Sequence, residues 1–127
     1  MILNTAAAAH LSTFAPLVDK VMLQEMRDLI APEELLAMAS TLLVGPASDL
    51  EILGSLLRPP AHGDVAGQAH KLKGGAFMLG LHGLGLFCRH LELVIKSDTL
   101  TASHKEHLAI MGETSLATLK AELSLSD

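Results

Sequence analysis

Apolar residues recur along this chain at helical rather than strand spacing. Val18, Val21, Met22, Met26 and Ile30 share one face of a segment from about Pro16 to Ile30. A second segment opens at Pro32, which suits the first position of a helix, followed by Glu33 and Glu34 where acids favour the positive helix end. It carries Leu35, Leu36, Met38, Ala39, Leu42 and Leu43, and the pattern resumes beyond Gly45-Pro46 with Leu50, Ile52, Leu53, Leu56 and Leu57. Gly45-Pro46 is expected to kink this helix rather than end it. Pro59-Pro60-Ala61-His62-Gly63 marks a turn, and Asp64 is placed to cap the next helix, which runs to about Leu79. Gly80-Leu81-His82-Gly83 breaks the chain again. Leu84, Phe87, Cys88, Leu91, Val94 and Ile95 then define a helix ending near Lys96. After the loop Ser97-Asp98-Thr99, Thr101 or Ser103 could cap a last helix carrying Leu108, Met111, Leu116, Leu119 and Leu123. Nothing alternates as a strand would, and the short connections around 84–96 imply antiparallel neighbours. The expected fold class is all-α: an antiparallel four-helix bundle with an additional N-terminal helix.

Composition narrows the function classes. The 127 residues suit one domain with a core of its own, and half of them are apolar. Three Phe, no Tyr and no Trp leave little to stack on bases, and a net charge of −5 opposes phosphate backbones, so no nucleic-acid partner is expected. The single cysteine, Cys88, allows no internal disulfide. No Lys or Arg precedes Lys20 and no run approaches about 18 apolar residues, so neither a signal peptide nor a membrane span is expected, and the expected location is the cytoplasm. His104 and His107 are three apart while His62, His82 and His90 are scattered, so no metal site is expected.

One face is unusual. Val65, Ala69, Leu72, Ala76 and Leu79 form the buried stripe of their helix, and at about 100° per residue His70 points roughly 140° away from it, toward solvent. Its neighbours one turn away are Ala66, Gly67, Lys73 and Gly74. A helical glycine costs about 1 kcal/mol relative to alanine, so glycines bracketing an exposed histidine point to close approach by another molecule.

The run Ala69-His70-Lys71-Leu72-Lys73-Gly74, then Leu79-Gly80, then Leu84, Cys88, Leu91 and Glu92, resembles the histidine-containing phosphotransfer domains of bacterial and fungal phosphorelays. Asp64 also stands where that family often has an aspartate. The resemblance covers residues 16–124, within a single domain spanning 1–127, and residues 1–15 form an N-terminal extension without a counterpart. Gly75, Gly83 and Gly85 make the region richer in glycine than the family pattern.

The resemblance implies that His70 is the phosphoacceptor, relaying a phosphoryl group between receiver-domain aspartates of a hybrid sensor kinase and of a response regulator. The chain would be a phosphocarrier without a kinase site and would bind no cofactor, the Mg²⁺ belonging to the receiver. An imidazole with its ordinary pKa near 6.5 offers a lone pair at neutral pH. The loose transition state of phosphoryl transfer asks for positioning and charge stabilisation. Lys73, at i+3, can serve as a point charge toward phosphoryl oxygens, and Gly74 leaves room beside the ring. Ala66, Gly67, Lys71 and Phe77 are the expected receiver-docking residues, with Lys71 the weaker charge and Phe77 partly exposed. Cys88 reads as a small core residue and Glu92 as a surface or capping charge. A monomer is expected. A sensor-kinase dimerisation domain fits poorly, since Lys71 stands where an acid normally follows the histidine. A helical adaptor that binds receivers without carrying phosphate is the competing class.

Overall fold

The computed structural model describes residues 13–57 and 64–125, and among these the chain forms six helices and no strand. They are α1 (Lys20–Arg27), α2 (Pro32–Leu43), α3 (Asp49–Leu56), α4 (Val65–Met78), α5 (His82–Lys96) and α6 (Ser103–Leu125). The starts follow local chemistry. The Met22 N–H donates to Asp19 Oδ1 at 3.0 Å ahead of α1, and the Glu51 N–H donates to Ser48 Oγ at 3.2 Å ahead of α3. Pro32 sits at the first position of α2 with Glu33 and Glu34 behind it, as its pattern implies. Asp64 holds the N-cap position of α4, without a hydrogen bond from its side chain. At the start of α6 the Thr101 N–H donates to His104 Nδ1 at 2.9 Å. The turn at 59–63 and residues 1–12 of the N-terminal extension lie outside the described residues.

The structure corrects three expectations. Gly45-Pro46 ends α2 instead of kinking it: Val44 is extended, Gly45 adopts φ +95°, and Ser48 caps a new helix. Pro46 lacks the N–H that would continue the ladder, and only glycine takes the left-handed turn cheaply. In α1, Val21 faces solvent and Leu23 takes its place in the core. α5 begins at His82, two residues before the expected start, with Gly83 inside it. A Cβ on Gly83 would lie 2.7 Å from the Phe14 carbonyl oxygen, so this glycine admits the incoming chain rather than breaking the helix.

Stripes from all six helices meet in one core that includes Leu23, Leu35, Leu53, Leu72, Leu84, Phe87, Leu91, Leu108, Met111 and Leu119. Each such side chain contributes about 1.5–3 kcal/mol by leaving water. α4 and α5 share the most extensive interface. Between them Gly80, at φ +73°, closes a two-bond C-cap: its N–H donates to Phe77 O at 3.2 Å, and the Leu81 N–H donates to Ala76 O at 2.9 Å. This hairpin turns the chain back on itself, so Phe77 lies beside Gly85 while Lys73 lies beside Glu92.

Candidate functional site

Burial of Val65, Ala69, Leu72 and Ala76 fixes the rotation of α4 and puts His70 outside, its side chain 73% exposed. Ala66, Gly67, Lys71 and Gly74 are exposed around it. A Cβ added to Gly67 or Gly74 would meet nothing within 4 Å, so neither glycine is required by packing within the chain. Gly75 and Gly85 are the opposite case. A Cβ on Gly75 would come 2.7 Å from Leu42, and one on Gly85 would come 2.5 Å from the Phe77 ring. The glycine-rich run therefore divides into two that pack helices together and two that keep a face bare.

Glu92 reaches across from α5 to this face. Its Oε1 lies 3.4 Å from His70 Nδ1 and 3.1 Å from Lys73 Nζ, and Lys73 also donates to Oε2 at 3.2 Å. Oε1 is shielded from solvent and accepts no hydrogen bond, so both groups approach it at ion-pair distance only. The expectation of a plain surface or capping charge is thus corrected: Glu92 holds the phosphate-partner candidate Lys73 with one oxygen pair and faces the imidazole with the same carboxylate. At +4 from the buried Cys88, its side chain leans toward α4 and not toward bulk water. On the other flank, Lys71 pairs with Asp49 Oδ1 at 3.3 Å, and Gln68 donates to Asp49 O at 3.3 Å, tying α4 to the start of α3.

Of the residues expected at the docking face, Phe77 is half-buried. It rests on Gly85, and its ring centroid is 6.1 Å from that of His82. Met78, not among the expected docking residues, is a large apolar side chain that α4 leaves bare, 72% exposed. The row Gly67, Lys71, Gly74, Met78, spaced +4, +3, +4, would have located it.

Cys88 lies in the core behind Glu92, and burial first, then the Glu92 charge, pushes its thiol up to about 12. It is a packing residue, as expected. The rings of His90 and His104 lie tilted with centroids 6.0 Å apart, and His107 is buried. Burial, with His104 adding repulsion, lowers the pKa of both His90 and His107 below the ordinary imidazole value. Among the described residues no group of three His, Cys, Asp or Glu is placed to hold a metal ion, and His62 lies outside them. No helix among them is long and apolar enough to cross a membrane.

The site is thus an exposed imidazole, backed by a carboxylate, on a bared face of α4. The family model of the Hpt domain matches residues 19–125, and the chain belongs to that family. Comparison with curated proteins and with solved structures gave no match. Hpt domains act in histidine phosphotransfer within phosphorelays, work with receiver domains, and are carriers rather than kinases.

Proposed function

We propose that His70 is the phosphoacceptor of this Hpt domain and relays a phosphoryl group between the receiver aspartates of a hybrid sensor kinase and of a response regulator. The observation that carries this reading is the exposed ring with Nδ1 facing Glu92, which leaves Nε2 toward an incoming electrophile. In the forward step Nε2 attacks the phosphorus of an aspartyl phosphate. The N–P bond forms, the P–O bond to the aspartate breaks, and the carboxylate leaves with its electron pair. The imidazole becomes an N-phosphorylated imidazolium whose Nδ1–H is stabilised by the Glu92 carboxylate. In the onward step the carboxylate of the second receiver attacks the phosphorus, and His70 leaves as a neutral imidazole, so no net proton is taken up. Each half needs alignment more than covalent assistance, which a preset ring supplies.

Lys73 donates one hydrogen bond to Glu92 Oε2 and keeps other donors for a phosphoryl oxygen. Gly74, Gly67 and Ala66 provide clearance for the receiver, with Lys71 and Phe77 at the rim. On the same reading α2 with α3, α4, α5 and α6 form the antiparallel four-helix bundle, α1 is the additional N-terminal helix, and residues 1–127 are one cytoplasmic, monomeric domain that binds no metal or cofactor itself. The receiver brings the Mg²⁺.

Incubation with a phosphorylated receiver tests this. Acid-labile, base-stable label is expected on the chain and absent from H70Q. Equal labelling of H70Q would place the acceptor elsewhere, and receiver binding without any label would establish a non-phosphorylated adaptor instead.

A further inference from the structure

α4 and α5 together carry four cations, Lys71, Lys73, Arg89 and Lys96, and a single acid, Glu92, in a chain whose net charge is −5. Two of the four are already matched, Lys71 by Asp49 and Lys73 by Glu92. Arg89 and Lys96 are exposed and make no ion pair among the described residues. They stand at −3 and +4 from Glu92, one helical turn to either side of the carboxylate that faces His70. Leu93 falls in the same row, +4 from Arg89 and −3 from Lys96, and is 61% exposed.

A receiver meets His70 with an acidic face. The aspartyl phosphate carries about two negative charges, and the divalent cation beside it requires further carboxylates. A chain of net −5 repels such a partner over most of its surface. The lysines of the histidine helix do not reverse that field, because they are already paired. On the α3 flank the exposed Glu51 adds negative charge. The α5 flank is where unmatched positive charge borders the site, with an apolar side chain between the two cations.

Resting on the phosphotransfer reading, we propose that Arg89, Leu93 and Lys96 form the docking edge that steers a receiver's acidic face onto His70 and sets its orientation. The edge acts on encounter and alignment, so it leaves the reactivity of the imidazole itself unchanged.

The test uses the full chain and a receiver, charged with acetyl phosphate, that transfers to the parent. R89E/K96E is expected to slow transfer at least about tenfold at low ionic strength, with R89Q/K96Q intermediate. The difference from the parent should shrink toward 1 M salt, where screening is nearly complete. Labelling of His70 by phosphoramidate, a small donor that needs no docking, should equal the parent's in both variants. K105E/K120E makes the same charge change in the groove between α2, α3 and α6 and should slow transfer far less. Equal slowing by K105E/K120E, or none by R89E/K96E, overturns the docking edge and leaves the phosphoacceptor assignment standing. Equal labelling of H70Q by the receiver overturns both.

Discussion

Glu92 stands behind His70, its Oε1 3.4 Å from the imidazole Nδ1, and is itself held by Lys73 at 3.1 Å. The pair spans two helices and sets which nitrogen is left outward. E92A is therefore expected to slow phosphotransfer about tenfold to a hundredfold through misalignment. E92Q should recover much of the rate, since its amide oxygen can still stand opposite Nδ1. Nitrogen NMR of the ring separates positioning from packing: the Nδ1–H tautomer should decline in E92A and return in E92Q.

The two kinds of glycine predict opposite stability effects. G74A enters open space within a helix and should stabilise the chain by up to about 1 kcal/mol, while G74L should block transfer and leave thermal unfolding unharmed. G85A collides with the Phe77 ring and should destabilise by about 1–3 kcal/mol. Thermal denaturation beside transfer kinetics checks both, and a strongly destabilised G74A would assign that glycine to the core.

Stability should fall on mild acidification. His90 and His107 are held below the ordinary imidazole pKa, mainly by burial, so the folded chain favours their neutral forms. The unfolded chain takes up protons first, near pH 6.5. Stability is thus complete above that value and is lost as pH drops through the lower folded pKa. Urea midpoints are expected to decline between pH 7.5 and 5, and a flat profile would contradict the shifts.

Cys88 should be inert in the folded chain. A buried thiol pushed up to about 12 has almost no thiolate at neutral pH. Iodoacetamide should modify it only in denaturant, and rapid labelling of the native chain would show that this part of the core opens.

Much of the site is legible along one helix. Val65, Ala69, Leu72 and Ala76 force His70 outward because side-chain direction within a helix depends only on spacing. The bareness of Gly67 and Gly74 follows from the same count. Val21 and Leu23 mark where that reasoning stops. In an eight-residue helix either fits an apolar face, and packing against the rest of the chain chooses Leu23. Spacing turns Phe77 away from the buried stripe of α4, yet Gly85 lets it settle onto α5, which spacing within α4 does not contain.

What the sequence determined by itself is the all-helical character, the outward histidine and the small residues that clear its face, all of them consequences of local periodicity and of turn and cap chemistry. Tertiary structure decided what meets the histidine. Glu92 and Lys73 are nineteen positions apart, as are Gln68 and Asp49. Their contacts depend on how α4 is rotated against α2, α3 and α5, which is set by glycine-sized gaps at Gly75 and Gly85 and by the end of α2 at Gly45. A helix fixes the direction of its own side chains, and only packing fixes what lies opposite them.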